Sequence, residues 1–203
     1  MYVDPDGNFV ISLLAFLKGV AIGAAIGAGL SFVATAYQDR SDDGKIFNGS
    51  IGADEYLGNT LGGIIAGAGV GACTVLGAGV GVAMAAGQTL TLGGMTLSGI
   101  SAFGLGTGSA FMTGGLGYTV RTAFNKKETF QVADMFIESG ANALSGVVSF
   151  VGGVAGGVTG VKIPGAKNGF WNSIKYHSGL TYFGAYTTKF FVFKIKNLLQ
   201  EAY

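Results

Sequence analysis

Cysteine, histidine, proline and charge are all scarce in this chain of 203 residues, which holds one Cys, one His, two Pro and only 11% charged side chains. Each scarcity excludes something. A single Cys73 makes no disulfide framework. A metal site assembled from Cys and His clusters lacks its ligands. Two prolines without a Gly-X-Y period exclude collagen. Charge at 11% falls well below the roughly 25% of an ordinary soluble domain. Disordered chains are highly charged and poor in apolar residues, and 49% of this chain is apolar. What is abundant is glycine, 38 residues, in a sequence of mean hydropathy +0.51. Glycine and apolar residues together point to close-packed helices in a membrane or in an unusually apolar core.

The net charge of +1 is unevenly spread. Residues 1–55 carry an acidic excess, residues 56–161 are balanced, and residues 162–203 carry six Lys against Glu201 alone. From Tyr56 to Val120 there is no charged residue at all. An acidic front, a neutral apolar middle and a basic end favour membrane contact over catalysis.

Three regions follow. Residues 1–8 form a turn, with Asp4-Pro5 initiating it and Gly7-Asn8 tolerating positive φ. With two Asp ahead of the apolar run and no basic start, this is not a secretory signal. Residues 9–161 are the glycine-rich apolar region. It opens with an apolar segment from Phe9 to Tyr37, followed by a polar loop from Asp39 to Glu55. Leu57 to Ala86 reads as one helix, or two broken near Cys73-Thr74. Alternation of Leu90 and Leu92 with Thr89 and Thr91, then Gly93-Gly94, predicts a small β-hairpin within 88–100. A further apolar run follows to Val120, then a polar connection from Arg121 to Glu128, then a helix over Thr129–Val161. Residues 162–203 are a basic aromatic tail, whose end from Thr188 to Ala202 reads as an amphipathic helix. The fold expected is therefore mainly α, built from membrane-type helical hairpins with one small β-hairpin and that C-terminal helix. Three crossings, 57–87, 101–120 and 139–161, would join the acidic loop to the basic tail across a bilayer. They force the basic loop Arg121–Glu128 outward against the positive-inside rule, which leaves a re-entrant segment or an unconventional insertion as the alternatives.

The opening motif Tyr2-Val3-Asp4-Pro5-Asp6-Gly7 resembles the Asp-Pro-x-Gly border signature of Rhs/YD-repeat polymorphic toxin proteins. The stretch from Asp42 to Gly52 also resembles segments found after that border. The resemblance implies that Asp4, Pro5, Asp6 and Gly7 end a β-cage core and that the rest is its variable C-terminal effector. It implies an upstream Rhs-type cage and a cognate immunity protein as partners. Many members of the family it resembles cleave themselves near the signature, with its acidic residues implicated and a Leu after the Gly, where this chain has Asn8.

The strongest signal inside the apolar region is glycine at every fourth position. Gly19, Gly23 and Gly27 form one such stripe; Gly63, Gly67 and Gly71 a second; Gly152, Gly156 and Gly160 a third, with Gly77-Gly81 and Gly153-Gly157 beside them. Residues four apart share a helix face, so each stripe lets another backbone approach closely, within one chain or between copies of it. Glycine costs a helix about 1 kcal/mol relative to Ala, so such stripes need a packing benefit to offset it.

Other candidates read more simply. Gly104-x-Gly106-x-Gly108 and Gly67-x-Gly69-x-Gly71 lack the strand and acidic residue of a dinucleotide site, so no cofactor is expected. His177 has only Glu201 as a carboxylate in its region, which makes a nuclease the weakest of the alternatives. Asp134 and Glu138 lie one helical turn apart and read as a solvated face. In the tail, Trp171, Lys175, Tyr182, Lys189, Lys194 and Lys196 suit the surface of an anionic bilayer better than nucleic acid, because aromatic rings and Lys both favour the headgroup region. The expectation is a non-enzymatic, membrane-localised effector that forms a pore or depolarises its target. The alternative is a structural or translocation module held inside the cage.

Overall fold

The computed structural model describes residues 2–3, 9–44, 46–47, 50–126 and 128–161. The border motif residues Asp4, Pro5, Asp6 and Gly7, the whole tail with its expected C-terminal helix, and the side-chain surroundings at Gly160 lie outside the described residues. Within them the chain is mainly helical, with a small sheet and four long helices.

The sheet runs in the order β1 (Tyr2–Val3), β2 (Phe9–Ile11), β3 (Leu90–Leu92), β4 (Met95–Leu97). β3 and β4 form the expected hairpin, with Leu92 opposite Met95. Its two-residue turn is Gly93-Gly94, with φ of 57° and 84°, the conformation that matches the twist of the flanking strands. β2 was not legible as a strand. Phe9 to Ile11 is uniformly apolar because it pairs in parallel with β3 and buries Phe9 and Ile11 against the bundle. β1 pairs antiparallel with β2.

Helix α1 (Leu13–Asp43) begins at Ser12, whose side chain accepts from Ala15 N at 3.2 Å. It ends at Gly44 in the left-handed conformation. Helix α2 (Ala53–Ala86) carries Asp54 and Glu55 in its first turn, where carboxylates complement the helix dipole. Helix α3 (Gly99–Phe124) is capped by Ser98, which accepts from Ser101 N at 3.0 Å. Helix α4 is Val132–Val161.

Two expectations about boundaries are corrected. α2 does not break near Cys73-Thr74: Thr74 bonds back to Val70 O at 3.1 Å, and Cys73 is fully buried where α2 meets α3 and α4. The polar loop is shorter than its charges suggested, since α1 continues through Asp39 to Asp43.

The architecture is a bundle centred on α2, which packs against each of the other three helices. α1 and α3 run antiparallel to α2, whereas α4 runs parallel to it: Gly19 meets Gly71, Gly62 meets Gly117, and Gly153 meets Thr74. α3 and α4 also pack together. α1 packs on α2 and has no comparable contact with α3 or α4. The sheet covers the end of the bundle where α2 finishes. There Ile11 and Leu90 lie over Gly79, and a larger residue at Gly79 would strike their side chains.

Candidate membrane-spanning bundle

Helix packing here is backbone against backbone. The stripe Gly19-Gly23-Gly27 of α1 faces Gly71-Gly67-Gly63 of α2 in antiparallel register. A Cβ added at Gly23 would lie 2.7 Å from Gly71 Cα and nearer still to Gly67 O; one added at Gly27 would lie 3.0 Å from Gly67 Cα. Neither separation leaves room for a side chain. The facing stripes therefore bring the two helix backbones into van der Waals contact, where dispersion is strongest.

The same device recurs on the other faces of α2. A Cβ on Gly62 would come 2.7 Å from Gly117 O of α3, and the reverse contact is also 2.7 Å. Gly77 and Gly81 meet the backbone of α4 at Phe150 and Val154. On α4 the described close contact runs through Gly153 and Gly157, which meet Thr74 and Ala78. Gly156 is also buried, and Gly152 half-buried. Stripes at i and i+1 in α4 compete in the sequence, and only the rotation of the helix in the bundle chooses between them.

Among the described residues three helices are long and apolar enough to cross a membrane: Leu13–Arg40, Ala53–Ala86 and Val132–Thr159, with mean hydropathies of 1.9, 1.8 and 1.4. At 1.5 Å per residue each exceeds the roughly 30 Å of a bilayer hydrocarbon core. The expected crossing at 101–120 is not among them. α3 has the length but carries many hydroxyls, with Thr107, Thr113, Thr119 and Thr122 each bonding back to a carbonyl of its own helix. α1, by contrast, turns most of its apolar side chains outward. Leu13, Leu14, Leu17 and Val33 are 64%, 63%, 52% and 62% exposed. On α3, Ile100 and Met112 are likewise exposed. Apolar surface of this extent marks contact with lipid or a partner.

The end of the bundle away from the sheet is polar. Asp39 is fully buried and accepts from Phe47 N at 2.8 Å, Ile51 N at 3.3 Å, Tyr56 Oη at 2.9 Å and the Ser50 hydroxyl. One carboxylate at the end of α1 thus gathers the α1–α2 connection. Phe32, Phe47 and Tyr56 stack beside it. Arg121 donates to Glu128 at 2.7 and 3.1 Å and to Glu138 at 2.9 Å, and lies over the Tyr118 ring. Burial works against the charge on Arg121, but Glu138 and Glu128 outweigh it and move its pKa up. Glu138 is only 3% exposed, so the solvated face expected of Asp134 and Glu138 is corrected at Glu138: an Arg seventeen residues earlier neutralises it.

Between α1 and α3, floored by α2, lies a groove of about 390 Å³. Thr35, Gln38, Asn59, Tyr118, Arg121 and Glu138 supply its polar lining. Asn59 Nδ2 donates to Thr35 Oγ1 at 3.0 Å across it. Sequence reading missed the groove, because its walls come from four helices. Isolated Thr35, Asn59 and Asn142 in otherwise apolar helices were the available signal.

Fold and surface together define a class: a mainly helical, glycine-packed bundle with membrane-compatible helices. Compared with known protein families, curated proteins and solved structures, the chain shows no match.

Proposed function

We propose that this chain is a non-enzymatic, membrane-inserting effector, the variable C-terminal region of an Rhs-like polymorphic toxin, which forms a pore or depolarises its target membrane. The observation that carries the reading is the combination in α1 of an inward glycine stripe locked to α2 and an outward face of exposed Leu and Val. In water that face is costly, at about 25 cal/mol per Å² of apolar surface. In hydrocarbon the cost disappears, and the glycine contact, which needs no hydrophobic drive, still holds the helices together. The Asp-Pro-x-Gly resemblance supplies the Rhs assignment, and with it the upstream cage and the immunity protein as partners. A basic tail with Trp171 and six Lys fits an anionic headgroup layer.

The deciding experiment adds the purified chain to anionic liposomes loaded with a self-quenched dye. Release that rises with protein concentration is the expected result. Neither binding nor release would remove the proposal.

A further inference from the structure

α1 and α3 each pack along α2 but have no comparable contact with one another, so a strip of α2 floors a groove between them. In a bilayer that groove opens sideways onto lipid. We propose that it seats one acyl chain of a bilayer phospholipid, with the polar part of the lipid at the Gln38 end. The inference rests on the membrane reading above and names a ligand that the bundle holds.

Size and surface are the first support. The groove measures about 390 Å³, within the roughly 300–1,000 Å³ of small-molecule sites, and its lining is mostly apolar. Gly62, Gly63 and Ala66 of α2, with Gly114 and Gly117 of α3, offer only backbone and methyl surface there. Helical backbone is satisfied within its own helix, so such a trough calls for dispersion partners and not for hydrogen bonds. A flexible hydrocarbon chain supplies them, and it is the molecule that surrounds a bundle in a bilayer.

Register is the second support. The lining runs from Gln38 to Ser31 on α1, from Asn59 to Ala66 on α2 and from Arg121 to Gly114 on α3, about 10 Å on each helix. Gly63 meets Ser31, and Gly62 meets Gly117, so the three stretches lie side by side at one depth. Gln38, Asn59 and Arg121 therefore share one end of the groove, and smaller residues share the other. The polar end is also where the apolar span of α1 stops, at Arg40. Tyr118 stands nearby, a residue type that favours the membrane–water interface. The groove thus changes from polar to apolar in the direction in which a lipid changes from headgroup to chain. Arg121 is already held by Glu128 and Glu138, so recognition falls to the chain and not to headgroup charge.

The test exploits two adjacent positions on α1. Ala34 lines the groove and is exposed at its rim, while Val33 is exposed outside it. The full chain is reconstituted into vesicles of phosphatidylcholine and phosphatidylglycerol, extracted in mild detergent and weighed by native mass spectrometry. The wild type should be a monomer that retains a phospholipid, with both headgroups represented in proportion to the vesicle. Ala34→Phe places a ring in the groove and should lose most of that lipid. Ala34→Leu should lose less, and it carries the comparison if helicity shows that the larger ring disturbs α1. Val33→Phe should retain lipid as the wild type does. Equal retention in folded Ala34→Phe and Val33→Phe overturns the site. So does a wild type that inserts into vesicles yet emerges without lipid: a lipid-free dimer gives the groove to a second copy, and a lipid-free monomer leaves it to the chain itself. Neither result touches the membrane reading. Retention of phosphatidylglycerol alone overturns recognition through the chain. A wild type that does not bind the vesicles overturns the membrane reading and the site with it.

Discussion

At the residue scale two kinds of position decide this molecule. The first is a glycine whose missing side chain is occupied by another backbone. Gly23 has Gly67 and Gly71 where its Cβ would be, whereas Gly29, on the same helix, has nothing within 4 Å. Gly23→Leu should therefore separate α1 from α2 and cost about 1–3 kcal/mol, the usual range for overpacking. Dye release should fall strongly while vesicle binding, which depends on apolarity, persists. Gly29→Leu should leave both close to wild type. Equal loss at the two positions would detach the stripe from activity. The second kind is the buried charge. Glu138 is 3% exposed and depends on Arg121. Arg121→Met removes the guanidinium from that buried carboxylate and should cost about 3–5 kcal/mol. Adding Glu138→Gln should recover much of the loss. Denaturant unfolding in detergent reads both, and no recovery in the double variant would show that Arg121 acts through Glu128 or through Tyr118 instead.

Elements are held by their ends and by their faces. The β3–β4 hairpin depends on positive φ at both Gly93 and Gly94. A β-branched residue is strained there, so Gly94→Val should destabilise the hairpin by about 1–2 kcal/mol. Because β3 also pairs with β2 and covers Gly79, the loss should reach the end of the bundle. Hydrogen exchange at the amides of Leu90 to Leu97 and of Phe9 to Ile11 should rise together in Gly94→Val; a rise confined to β4 would show that β2 holds its place independently. Of these elements the hairpin was readable, since two alternating segments around Gly-Gly have few other solutions. β2 was not, because a strand buried by a parallel partner loses the alternation that betrays strands. The extension of α1 to Asp43 was equally hidden: Asp39 looks like a loop residue until Phe47, Ser50, Ile51 and Tyr56 are seen bonded to it.

On the scale of the whole molecule the bundle is unequal. α2 touches every other helix, and 78% of its apolar window is buried; for α1 the figure is 17%, and its helix partner is α2. Amide exchange in detergent should therefore be slowest in α2 and faster along α1 than along α4, because local opening follows the contacts that hold a segment. Faster exchange in α4 than in α1 would show that the stripe contact outweighs the difference in packing partners. The arrangement also suits insertion into a membrane, since among the described residues the helix with most exposed apolar surface is the one packed mainly on a single neighbour.

The sequence by itself determined that the chain is mainly helical, that the helices holding 57–87 and 139–161 are apolar enough to cross a bilayer, and that glycine stripes lie along them, but it placed its third crossing at 101–120 and not at Leu13–Arg40. Periodicity, hydropathy and turn chemistry are local properties, and each of these conclusions needs only local information. Tertiary structure alone decided which stripe meets which. Gly153 and Gly157 face α2 because of the rotation of α4, which depends on Asn142 and Glu138 meeting α3. It alone paired Glu138 with Arg121 and assembled the groove beside them. Those contacts join residues from different helices, and their partners are distant along the chain. Only after the helices are packed do scattered polar residues acquire a common space.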